Sequence, residues 1–180
     1  MNEPLLHPWR ALVGGMFVVA LVLFGLVIAY AIREFRREVA ADFRPMRQAI
    51  VIAPEDEALG MQRVVIGSAD GQSVAAIFTP SKNGRAVVLI HGTGASSMAM
   101  LPEARILSRN GFGVLAIDLP GHGESSGRVY WDKAERQATQ HAITWLEKDP
   151  QIGPGGIGIL AFSMGTMIGL QVAEMDERVA

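Results

Sequence analysis

One serine in this chain has the surroundings of a nucleophile. The run Gly158-Ile159-Leu160-Ala161-Phe162-Ser163-Met164-Gly165 is apolar up to the serine, with a small residue two positions to either side of it. Such a run predicts a buried parallel strand. Met164 to Glu174 predicts a helix, with Met167, Ile168, Leu170, Gln171 and Val172 following its turn. A chain that reverses from strand to helix over one residue strains that residue and pushes its side chain outward, and small neighbours leave room for the bend. A hydroxyl displayed in this way could attack an acyl carbon, but serine is weak at its free pKa and needs help. The start of the following helix offers unpaired N–H groups and a positive dipole end, which makes the Met164 amide a candidate oxyanion donor. The competing explanation is a capping serine at an ordinary strand-to-helix turn.

Two further apolar runs place more loops beside this one. Ala86-Val87-Val88-Leu89-Ile90 leads into His91-Gly92-Thr93-Gly94, and Gly113-Val114-Leu115-Ala116-Ile117 ends at Asp118-Leu119-Pro120-Gly121-His122-Gly123-Glu124-Ser125. In this order, about 25 to 45 residues apart, the three pieces resemble the α/β-hydrolase superfamily, specifically its membrane-anchored serine hydrolases, over roughly residues 60 to 180. The resemblance implies a nucleophile elbow at Ser163 and hydrolysis of an ester, thioester or amide. It also implies that the Thr93 backbone N–H joins that of Met164 in the oxyanion hole, where losing one donor typically costs about 100- to 1000-fold in rate. His91 is then structural, and the Asp118 segment shapes the site mouth rather than supplying the catalytic acid. Gly121 and Gly123 permit a tight turn there, and His122 reads as an exposed turn residue. Ala161 stands where the family pattern has glycine, and one methyl group leaves Ser163 in place.

The triad acid and base are missing from the chain. In this superfamily they follow the serine, acid first and histidine last. The residues after Ser163 include Glu174, Asp176 and Glu177 but no histidine, and His7, His91, His122 and His141 all precede it. Without a positioned base, Ser163 is not deprotonated efficiently near neutral pH. His141 lies among Ala134, Ala138, Ala142 and Trp145 at helical spacing and reads as a partly buried helix residue. The expectation is an N-terminal portion of a hydrolase, inactive as it stands. A short, catalytically silent, membrane-tethered module that binds a partner or an acyl ligand is the alternative.

The elements that must hold these loops can be read in outline. Gln62 to Ile66 and Ser73 to Thr79 predict two strands joined across Ser68-Ala69-Asp70-Gly71 as a hairpin. Leu101, Ala104 and Leu107 form a helical stripe that closes at Asn110-Gly111, and Trp131, Ala134, Ala138, Ala142 and Trp145 form a longer one. Strands alternating with helices predict an α/β fold, a mostly parallel sheet with flanking helices and the site at the carboxyl ends of its strands.

Ahead of this domain, Ala11 to Ile32 contains no charge over 22 residues, enough to cross about 30 Å of hydrocarbon. Trp9 and Tyr30 lie near its ends, as interfacial aromatics do. A cleaved signal peptide usually has a shorter apolar region, of about 7 to 15 residues. The expected organisation is a tail over 1–10, a transmembrane helix over 11–32, a juxtamembrane segment and linker over 33–60, and a partial hydrolase domain over 61–180. Arg33, Arg36, Arg37, Arg44 and Arg47 follow the span while Arg10 alone precedes it, which predicts a single-pass protein with a cytoplasmic domain, the opposite orientation staying open. Phe35, Val39 and Phe43 fit an amphipathic extension along the headgroups or a plain continuation of the anchor helix.

Bulk properties remove several classes. A net charge of −2 carries no nucleic-acid signature. The absence of cysteine excludes disulfides and thiol catalysis. No histidine–carboxylate cluster has metal-ligand spacing, so neither metal nor cofactor is expected. The expected partners are the membrane and a small-molecule or lipid-like acyl substrate.

Overall fold

A computed structural model describes residues 8–42, 44–67, 71–130 and 133–180. His7, Phe43, Trp131 and most of the predicted hairpin turn, Ser68 to Asp70, lie outside the described residues. The chain divides into two units, Met1–Phe43 and Arg44–Ala180.

The first unit follows from its composition. Its helix α1 (Pro8–Asp42) continues without a break beyond the uncharged stretch. The most apolar 18-residue window within Leu12–Glu38 has a mean hydropathy of 2.8, and this helix is long and apolar enough to cross a membrane.

In the second unit the apolar runs become strands. They are β1 (Gln62–Gly67), β2 (Ser73–Thr79), β3 (Ala86–Ile90), β4 (Gly113–Ile117) and β5 (Ile157–Ala161). Their order across the sheet is β1-β2-β4-β3-β5. The pairings β1–β2 and β2–β4 are antiparallel, whereas β4–β3 and β3–β5 are parallel. The sheet is therefore mixed, not mostly parallel as expected. The N-terminal hairpin is not a separate ribbon, because its second strand pairs with β4.

Alternate residues of the central strands feed two cores, as the period of two requires. Val88, Ile90, Leu115 and Ile117 face one side, where α4 (Lys133–Leu146) and α5 (Met164–Met175) cover them with Ala142, Ile143, Leu146, Ile168 and Val172. Leu89, Val114 and Ala116 face the other side, beneath α3 (Leu101–Arg109) with its Leu101 and Ala104. Burial on both faces is why these strands are continuously apolar.

Residues 44–60, marked as a linker by Pro45, Pro54 and their acidic run, are built into this unit. Ile50 is buried in the α3-side core. The short helix α2 (Pro54–Glu57) buries Asp56, which Arg105 of α3 grips through two hydrogen bonds of 2.6 and 2.9 Å. That fork holds the Asp56 carboxyl below its ordinary range. Upstream, the Gly123 N–H donates to Met46 O at 2.7 Å, the Ile50 N–H to Glu124 Oε1 at 2.8 Å, and Arg47 to Ser125 O at 2.5 Å. Ser96 Oγ donates to Gln48 at 3.1 Å.

Candidate active site

The end of β5 is where the chain departs from ordinary backbone. Ser163 has φ 52° and ψ −121° and, among the described residues, is the one non-glycine residue with positive φ. It occupies the N-cap position of α5, yet its side chain makes no capping hydrogen bond. A capping serine satisfies a helix N–H with its oxygen; this one does not, and the residue is exposed to solvent.

Glycines let the flanking segments close on the turn. A Cβ on Gly92 would lie 3.0 Å from the Ser163 Cβ, and one on Gly165 would lie 2.6 Å from the carbonyl oxygens of both Ile90 and His91. The loop after β3 thus abuts the serine, and α5 starts against the end of β3. Ala161, paired in register with Ile90, is only half-buried, which is why its methyl group is accommodated.

Between these segments lies a pocket of about 320 Å³, lined by Gly92, Thr93, Ala95, Ala99, Met100, Glu103, Phe162 and Ser163. Thr93 and Ser163, predicted as partners, share this wall. Met164 follows as the first residue of α5 and is not among the lining residues. Neither the Thr93 nor the Met164 N–H donates to a protein acceptor among the described residues. Ala95, Met100 and Glu103 were not singled out in the sequence; they come to the site because the 3₁₀ turn Ser97–Met100 and α3 fold back over the loop after β3.

None of the described histidines lines the pocket beside Ser163. His91 is fully buried; its Nδ1–H donates to Gly92 O at 2.7 Å, and its Nε2 accepts from the Leu119 N–H at 3.1 Å. Both nitrogens are used, so the ring is held as one neutral tautomer bridging the loops after β3 and β4. Burial depresses its pKa to about 4. His122, expected as an exposed turn residue, is instead fully buried, with its ring 4.9 Å from that of His91. Burial lowers its pKa as well, and its Nε2 has no hydrogen-bond partner among the described residues. Positive φ at Gly121 and Gly123 folds the turn inward, and a Cβ on Gly123 would overlap the Asp118 carboxylate. Half-buried His141 faces a different recess, lined by Gln72, Ser73, Ser126 and Gln137.

Asp118 ties the loops together. It is fully buried, accepting from the Ser97 N–H at 2.6 Å and the Glu124 N–H at 2.9 Å. Through the Ser97 contact it fixes the turn that carries the pocket wall.

A family model for the alpha/beta hydrolase fold matches residues 85–180, the segment that contains these loops. The chain belongs to the alpha/beta hydrolase family. The thiohydrolase aneE of Aspergillus aculeatus is 31% identical over 107 residues, covering 57% of this chain and 34% of that protein. The (E)-2-((N-methylformamido)methylene)succinate hydrolase of Acinetobacter baylyi is 31% identical over 96 residues, 52% of this chain and 34% of its own length. A Pyrococcus furiosus esterase superposes with a TM-score of 0.68 at 25% identity, covering 77% of this chain and 53% of the esterase. The chain therefore spans about a third of the length of the curated hydrolases it matches. Among the described residues, this alpha/beta hydrolase chain has no acidic and histidine cluster that could hold a metal ion.

Proposed function

We propose that this chain carries the nucleophile half of a membrane-tethered serine hydrolase acting on an acyl ester, thioester or amide. The observation that carries the reading is the backbone of Ser163. A non-glycine residue in this conformation costs of order 1–3 kcal/mol, and an uncapped, solvent-facing hydroxyl gains nothing structural from it.

In this reading Ser163 Oγ attacks the substrate carbonyl carbon in the 320 Å³ pocket. The C–O bond forms as the carbonyl π pair moves onto oxygen, and the hydroxyl proton passes to a base. The Thr93 and Met164 amides, having no other acceptor, donate to the oxyanion. Collapse expels the leaving group, and water later releases the acid from the acyl-serine. No described histidine lines the pocket to take that proton, and His91 is spent on Gly92 and Leu119. Oxyanion donors alone leave about 1000- to 10,000-fold over water. A polypeptide of residues 1–180 is thus expected to be nearly inactive toward esters while still accepting a covalent probe. A thiohydrolase and an esterase among the similar proteins support acyl-oxygen or acyl-sulfur bonds as the class. Helix α1 would hold the domain at a bilayer, and the arginines after the span favour the cytoplasmic face.

The test is labelling with a fluorophosphonate followed by intact-mass and peptide analysis. Modification should map to Ser163 and vanish in Ser163→Ala. Labelling elsewhere, or none at all, overturns the nucleophile assignment and leaves the silent binding module.

A further inference from the structure

Away from the serine, the wall of the pocket is mostly hydrocarbon. Ala95, Ala99, Met100 and Phe162 line it, and Glu103 is the one charged residue among the lining residues. Met100 belongs to the α3-side core, so the pocket is continuous with buried apolar packing. Phe162 is 69% exposed, and its Cδ1 lies 3.6 Å from the position of a Cβ on Gly92. The ring therefore leans on the loop after β3 with most of its surface uncovered. Ala95 and Ala99 are the small residues of this wall, and the turn that carries them is braced. The Ala95 N–H donates to Gly92 O at 3.3 Å and the Ala99 N–H to Ser96 O at 3.0 Å. Between them, Ser96 Oγ donates to Gln48 and the Ser97 N–H to Asp118. Small side chains on a braced turn set the bore of a pocket firmly.

We infer that Ala95 and Ala99 are specificity residues that admit a hydrocarbon chain of medium length on the acyl side of the substrate of Ser163. The inference rests on Ser163 being the nucleophile. An apolar cavity of about 150 Å³ holds benzene. A pocket of about 320 Å³, open to solvent at Phe162 and Ser163, therefore takes roughly six to ten carbons. An acetyl-sized group would leave the apolar wall wetted and gain nothing from it.

Three O-methyl alkylphosphonofluoridates, with methyl, octyl and hexadecyl chains on phosphorus, test this. The alkyl group stands where the acyl chain of a substrate would. With each probe, Ser163 Oγ forms a bond to phosphorus, fluoride leaves, and the hydroxyl proton goes to the buffer. Labelling rates are read by intact mass on the full 180-residue chain in detergent micelles, and referred to the probe concentration free in water. Taking one methylene out of water is worth about fourfold in rate when it is enclosed, and about twofold when one side stays open. Seven added methylenes should therefore make the octyl probe about 100-fold faster than the methyl probe. The hexadecyl probe should be no faster than the octyl one. Ala99→Phe should lower the octyl-to-methyl ratio at least about tenfold by filling the bore. Ile106→Phe, on an exposed residue of α3 outside the pocket, should leave that ratio as it was. Equal octyl and methyl rates, a faster hexadecyl probe, an undiminished ratio in Ala99→Phe, or an equal loss in Ile106→Phe each overturn the inference. If Ala99→Phe takes no probe, Ala95→Val must retain labelling with a lowered ratio, or the inference fails. Labelling of the unsubstituted protein by none of the probes overturns the Ser163 reading instead.

Discussion

Replacing Ser163 by glycine should make the protein more stable while abolishing its reactivity. The strain at φ 52° and ψ −121° belongs to any residue with a Cβ and disappears in glycine. Its release is worth about 1–3 kcal/mol. Glycine's greater freedom in the unfolded chain takes back about 0.4–1 kcal/mol. Because the hydroxyl makes no capping bond, no cap is lost, and the usual penalty of about 1 kcal/mol for removing one does not apply. Ser163→Ala keeps the strain and is the proper reference. The net expectation is that Ser163→Gly exceeds Ser163→Ala by about 1 kcal/mol, a rise in Tm of roughly 3 °C for a domain of this size. Urea denaturation of both variants in the same detergent, monitored by tryptophan fluorescence, gives the difference directly. A glycine variant equal to or less stable than the alanine variant would refute the idea that the elbow stores strain.

Four other outcomes follow. Stability should fall as pH drops from about 6.5 toward 4, because the unfolded chain protonates His91 near its ordinary value while the folded one resists until about 4. His91 alone contributes at most about 1.4 kcal/mol per pH unit, and His122, lowered by burial as well, adds to the slope; urea midpoints that do not change between pH 7 and 5, or a slope not flattened by His91→Gln, contradict it. The depressed carboxyls of Asp56, Glu124 and Asp176 add stability that is present above their unfolded values and lost as pH falls through the folded ones, so a second decline should begin below about pH 4. Gly165→Ala should destabilise by about 1–3 kcal/mol through contact with the Ile90 and His91 carbonyls, overriding the gain of about 1 kcal/mol that alanine normally brings to a helix; a stabilised variant in thermal melts would show that α5 can shift freely. The full chain should stay with membranes through carbonate washing and be released by deletion of residues 1–43, and sedimentation of the full chain with the soluble fraction would remove α1 as an anchor.

The strands and helices were largely legible because burial on both sheet faces writes uninterrupted apolar runs, as at Ala86–Ile90 and Gly113–Ile117. Strand direction was not legible. Nothing in the hydropathy of Ser73–Thr79 says that it lies antiparallel to β4, so the sheet was expected to be more parallel than it is. The turn at Ser163 was legible from its neighbours, since small residues are demanded by the close approach of Gly92 and Gly165. His122 was misplaced because a histidine between glycines reads as a solvated turn, whereas those glycines fold it against His91. Glu103 carried no signal, because an acid in a first helical turn has the ordinary explanation of dipole compensation. Its place near Ser163 comes only from the fold, since two segments 60 residues apart build the pocket wall together.

The stitching of residues 46–50 to the loop at 123–125 bears on where this protein can be cut. Composition marks the stretch up to Gly60 as dispensable spacer, and a water-soluble domain would naturally be started there. Such a cut would strip Ile50 from the core and the Asp56 carboxylate from Arg105. It would also leave the Gly123 N–H without its acceptor, in the loop that Asp118 ties to the pocket wall. A water-soluble domain should thus start no later than Arg44. Whatever is attached at residues 44–46 therefore acts on the segment whose Met46 carbonyl braces the loop at Gly123.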